Sequence, residues 1–72
     1  MNKKEKQEWN KSWDEIKTLF LKREEIEGNI YPVLNRDNWF VDERNRLYKK
    51  IQDNRYFWFG NMLNYNIKEV VE

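Results

Sequence analysis

Four aromatic residues stand in a row at Tyr56-Phe57-Trp58-Phe59, and no regular backbone can send all of them into one side of a core. A helix advances about 100° per residue, so the run spans most of its circumference. A strand sends alternate residues to opposite faces. Some of the four must face outward, toward solvent, a second copy of the chain or a partner. Interfaces favour Tyr, Trp, Phe and Arg for their contact area. Arg55, Tyr56, Phe57, Trp58 and Phe59 are therefore the candidate partner-binding set.

The rest of the composition limits what can surround this run. A chain of 72 residues is read as one domain, 1–72, with a marginal core of its own. It has no cysteine and no histidine, so neither a disulfide nor a conventional zinc site is expected to hold it. Self-association, as a homodimer, or a partner protein is the remaining means of support. Mean hydropathy is −1.17 and 38% of residues are charged, but aromatics make up 17%. Disordered chains are poor in aromatics, so a folded domain is expected.

Apolar residues at Trp9, Trp13, Ile16, Leu19, Phe20 and Ile26 recur in steps that suit a helical face. Asn2 with Glu5, and Ser12 with Glu15, have capping-box spacing. Gly28 stands where a left-handed helix end is expected. The first helix is thus expected from residue 3 or 12 to residue 27, with residues 1–8 the first to fray. Residues 29–38 read as a connection, with Pro32 barring helix around Tyr31, and a short strand there is the alternative. A second helix, capped by Asp37 or Asn38, is expected through Phe40, Leu47, Ile51 and Trp58, stopping at Gly60. Asn61 then caps a short third helix carrying Leu63, Ile67, Val70 and Val71. The expected class is all-α, a helical hairpin with a short third C-terminal helix. The alternative is α+β, with a small C-terminal hairpin at about 55–71, because aromatic and β-branched residues favour strands.

Catalytic equipment is sparse. There is no histidine to shuttle protons and no cysteine nucleophile. Ser12 and Thr18 have no base at a recognisable spacing, and there is no glycine-rich phosphate loop. The acidic pairs Asp14/Glu15, Glu24/Glu25 and Asp42/Glu43 read as solvated helix faces. No catalytic residue, metal ligand or cofactor is assigned, and the chain is expected not to be an enzyme. Trp9 and Trp13, one helical turn apart, read as core.

The formal net charge is +1, so bulk charge does not indicate a nucleic-acid binder. Locally, Arg44, Arg46, Lys49, Lys50 and Arg55 are opposed only by Asp53 and interleave with Tyr48 and the aromatic run. Such a segment suits single-stranded nucleic acid, through phosphate contact and base stacking. The spacing of Trp39 and Trp58 resembles the tryptophan repeats of Myb-like DNA-binding domains, but Trp9 and Trp13 do not fit that spacing.

No apolar run approaches a membrane span, and the basic N-terminus lacks the apolar stretch of a secretory signal. A cytoplasmic protein is expected. The ten Asn, nine Lys and five Ile, with no Ala, fit AT-rich codons, as in a low-GC bacterium, its phages or mobile elements. In a phage-encoded protein the compartment would be the host cytoplasm. The leading expectation is a small regulator or inhibitor that binds another protein through residues 55–59. The alternative is a nucleic-acid-binding module using the basic and aromatic segment 44–59.

Overall fold

In a computed structural model that describes residues 1–71, one helix packs on a mostly β molecule. Helix α1 spans Lys3–Ile16. Six strands follow: β1 Phe20–Ile26, β2 Asn29–Leu34, β3 Trp39–Val41, β4 Arg46–Gln52, β5 Arg55–Asn61 and β6 Lys68–Val70. A single 3₁₀ turn, Met62–Asn64, lies between β5 and β6. The all-α expectation is therefore wrong: there are two three-stranded sheets, ordered β2-β1-β6 and β3-β4-β5.

The N-terminus of α1 follows its capping residue. The Asn2 carboxamide accepts the Glu5 N–H at 2.8 Å. The helix then ends eleven residues short of Glu27. The Thr18 N–H and hydroxyl both donate to the Glu15 carbonyl, closing the last turn. Ser12 is no cap. It lies buried in mid-helix, its hydroxyl donating back to the Glu8 carbonyl at 2.7 Å.

Gly28 ends a strand rather than a helix. Ile26 pairs with Asn29 across Glu27 and Gly28, whose φ values are 52° and 82°. Positive φ at both central residues marks the primed two-residue turn whose twist matches a β-hairpin. The expected connection after it is strand β2, running antiparallel to β1. Pro32, which has no N–H to donate, is tolerated there because β2 is an edge strand.

The expected second helix divides into three strands at turns made by asparagine. Asn38, Asn45 and Asn54 have φ of 69°, 62° and 62°, a region Asn enters more readily than most residues. Segment 55–59 is a strand, as the alternative held, but it pairs with β4 rather than with residues 65–71. Gly60, at φ 79°, lies in a register shift of that pairing instead of a hairpin turn. Of the expected third helix only the 3₁₀ turn forms, capped by Asn61, whose side chain accepts the Leu63 N–H at 2.8 Å.

The core lies between α1 and the inner face of β3-β4-β5. Trp9 stacks on Phe59 with centroids 4.7 Å apart, and Trp13 meets the same ring edge-on at 5.0 Å. Phe57 meets Trp9 at 5.3 Å, and Trp39 meets Phe59 at 5.3 Å. Leu47, Ile16, Leu19, Leu21, Leu34 and Met62 complete the buried cluster. Edge-to-face and stacked rings of this kind contribute about 0.5–1.5 kcal/mol per pair beyond their area. Among the described residues, no helix is long and apolar enough to cross a membrane.

Candidate nucleic-acid interface

Strand alternation divides the aromatic run into two layers. Phe57 and Phe59 are 7% and 6% exposed, whereas Tyr56 and Trp58 are 41% and 49% exposed. The neighbouring strand alternates in step: Leu47 and Lys49 are buried, while Arg46 is exposed and Tyr48 half-buried. On β3, Trp39 turns inward and Phe40 is 42% exposed.

The outward residues meet across the strands. Phe40 pairs with Tyr48, and Tyr48 with Trp58. Their rings stack at centroid distances of 5.4 and 4.7 Å, tilted by 25° and 29°. These spacings are close to the distance between strands, so one ring rises from each strand in a three-ring ladder. Tyr56 meets Tyr48 edge-on at 5.6 Å. The Arg46 guanidinium lies 5.2 Å from the centre of the Trp58 ring. Asp42 holds that arginine: its carboxylate accepts the Arg46 side-chain N–H at 2.6 Å and the backbone N–H groups of Arg44 and Arg46 at 2.9 and 2.8 Å. Desolvation pushes the Asp42 carboxyl upward, but these donors and the Arg46 charge outweigh it and lower its pKa.

The five basic residues of segment 44–59 do not form one patch. Arg46 and Lys50 belong to the ladder face by register, Lys50 opposite Tyr56. Arg44 is exposed in the β3–β4 turn. Arg55 turns toward the helix and grips the Glu5 carboxylate with both guanidinium nitrogens. Lys49 is buried. Its ammonium donates to Glu15 at 3.2 Å and to the Ser12 hydroxyl at 3.3 Å, with Glu8 3.7 Å away. Arg46 and Lys50 are themselves paired, with Asp42 and Asp53.

Glu15 also accepts the Trp39 indole N–H at 2.7 Å. Burial acts to raise this carboxyl, but the Trp39 and Lys49 hydrogen bonds and the charges of Lys49 and Arg36 hold it below its ordinary value. Among the described residues, no buried side-chain nitrogen or oxygen lacks a partner. Ser12 and Lys49 approach each other but do not make a nucleophile and base. Lys49 is held between two carboxylates, and the serine is 0% exposed.

Two concavities flank the loop 35–38. The larger, about 550 Å³, is lined by charged residues of α1 and β4, including Glu8, Glu15 and Lys49, which neutralise one another. The smaller, about 330 Å³, lies where the two sheets meet. Its wall includes Pro32, Val33, Phe40 and Tyr48, so it adjoins the ladder.

Of the candidate partner-binding set, only Tyr56 and Trp58 reach the outer face. Phe57 and Phe59 are core, and Arg55 is engaged with the helix. Phe40 lay outside both sequence-derived sets. Period-two alternation along 46–48 and 57–59 gives Tyr48 and Trp58 outward positions, but only the strand register sets them side by side with Phe40. No protein-family model matches the chain, and no curated protein or solved structure matches it either.

Proposed function

We propose that this chain is a non-enzymatic module that binds single-stranded nucleic acid on the outer face of β3-β4-β5. The observation that carries the reading is the exposed ladder Phe40–Tyr48–Trp58, with Tyr56 at its side and Arg46 over Trp58. Phe40 and Trp58, the end rings of the ladder, each keep a face that Tyr48 does not cover, and a base stacked on such a ring is worth about 1–3 kcal/mol by alanine substitution. Arg46 and Lys50 are placed to meet phosphates beside the bases. A cytoplasmic site of action accords with this reading.

The electrostatic contribution is small, because Arg46 and Lys50 already have carboxylate partners. With two or three phosphate contacts, the logarithm of affinity should fall with the logarithm of salt at a slope of about −1.5 to −2. Fluorescence polarisation of labelled octanucleotides at low salt tests the proposal. Trp58→Ala should weaken binding roughly 5–150-fold while the protein still folds. An absence of binding by the unaltered chain, or an unchanged affinity after W58A, would overturn it.

Those same ion pairs favour a second reading, in which Tyr56 and Trp58 anchor a protein partner or a second copy of the chain. Concentration-dependent sedimentation that W58A abolishes, with no affinity for oligonucleotides, would select it.

A further inference from the structure

The 330 Å³ groove between the sheets is continuous with the ladder, because Phe40 and Tyr48 belong to both. Its volume is at the small end of ligand sites, which run from about 300 to 1,000 Å³. That suits one flat ring system. Pro32, Val33 and Val41 supply apolar wall, and Asp37 and Asn38 stand on its lining.

Those two side chains are uncommitted. Among the described residues, neither the Asp37 carboxylate nor the Asn38 carboxamide makes a hydrogen bond or ion pair. The backbone beneath Asn38 is nevertheless fixed. Asn38 sits at φ 69° and its carbonyl accepts the Lys50 N–H at 2.8 Å. Both side chains are exposed and border the larger concavity as well, and a carboxylate and a carboxamide at the mouth of an apolar slot can turn to meet the edge of a base.

We infer that this groove receives one base of the strand that stacks on the ladder, and that Asp37 and Asn38 select adenine and cytosine, whose pairing edge sets an exocyclic amino group beside a ring nitrogen that carries no hydrogen. The inference rests on the nucleic-acid reading above. Adenine and cytosine each offer an amino donor to a carboxylate, beside a ring nitrogen that accepts from the carboxamide. Uracil and thymine present carbonyl oxygens where the amino groups would be, and these face the carboxylate as acceptor against acceptor.

The test compares octamers of adenosine, cytidine and uridine, with deoxycytidine and thymidine octamers as a second series. The unaltered chain should bind an amino-bearing octamer at least about fivefold more tightly than the uridine octamer, and deoxycytidine over thymidine likewise. Asn38→Gly suits the left-handed backbone and removes the carboxamide, while Asp37→Ala removes the carboxylate. Both should bring the ratio below about twofold and leave the melting temperature nearly unchanged. Equal affinity for all octamers in both series, or a ratio that survives both substitutions, overturns the inference. If all octamers bind equally and W58A weakens them together, only the groove assignment falls. If no octamer binds, the nucleic-acid reading falls with it.

Discussion

Lys49 occupies an inward position of β4, where strand alternation calls for an apolar side chain. Its charge is tolerated because Glu15, Glu8 and Ser12 surround it, and Glu15 in turn fixes the Trp39 indole. The network therefore joins α1 to β3 and β4 through one carboxylate. Glu15→Gln should destabilise the fold by about 1–3 kcal/mol at neutral pH. The Glu15 pKa is lowered on folding, so its stabilising effect is complete above the ordinary value of 4.5 and is lost as pH falls through the lower folded value. Denaturant melts of the two proteins should accordingly converge below pH 4.5. A difference that stays constant across that range would show that the Glu15 charge contributes nothing to the fold. The aromatic run makes a second prediction at this scale. Phe57→Ala and Phe59→Ala should each cost about 3–5 kcal/mol, and Tyr56→Ala and Trp58→Ala less, about 1–2 kcal/mol, for the ring contacts each makes with Tyr48. A helix at 55–59 would not give that alternation, so urea titration of the four variants tests the strand directly.

At the scale of elements, turns decide what the local pattern leaves open. Glu27 sits at φ 52° in the β1–β2 turn, a conformation that costs most L-residues about 1–2 kcal/mol and Asn less. Glu27→Asn should therefore stabilise the fold by about 1 kcal/mol, giving the Asn-Gly pair that such turns favour. A thermal melt that shows no gain would mean the turn is not the primed type. The start of α1 was legible in the sequence through Asn2 and Glu5, and so was the need for part of 56–59 to face outward. The strands were not. Leu47 and Ile51 are four residues apart, and a step of four keeps one face in a helix and in a strand alike, so it cannot separate the two. The better signal was asparagine. Taken as a mark of AT-rich codons, the ten Asn concealed three residues, Asn38, Asn45 and Asn54, that turn the chain at positive φ. The ladder was illegible for the same reason, because its three rings come from three strands and meet only when the register is known. The inward turn of Lys49 and Arg55 was hidden too, since it depends on carboxylates more than thirty residues away in α1.

The whole molecule is elongated, 42 × 25 × 19 Å, and its two sides differ. One side of β3-β4-β5 holds the helix, the ring cluster and the buried ion pairs. The other presents Phe40, Tyr48, Tyr56 and Trp58. Burying one half of the aromatic run stabilises the fold, and exposing the other half leaves a surface suited to binding. On the proposal above, this outer face takes single-stranded nucleic acid. That binding is tested most directly by adding an octanucleotide to ¹⁵N-labelled protein at low salt and following the four tryptophan indole signals. The Trp58 indole and the backbone amides of β3 to β5 should shift, while the Trp39 indole, hydrogen-bonded to Glu15, stays in place. Shifts confined to the β1–β2 hairpin or to α1, or no shift at all, would contradict it.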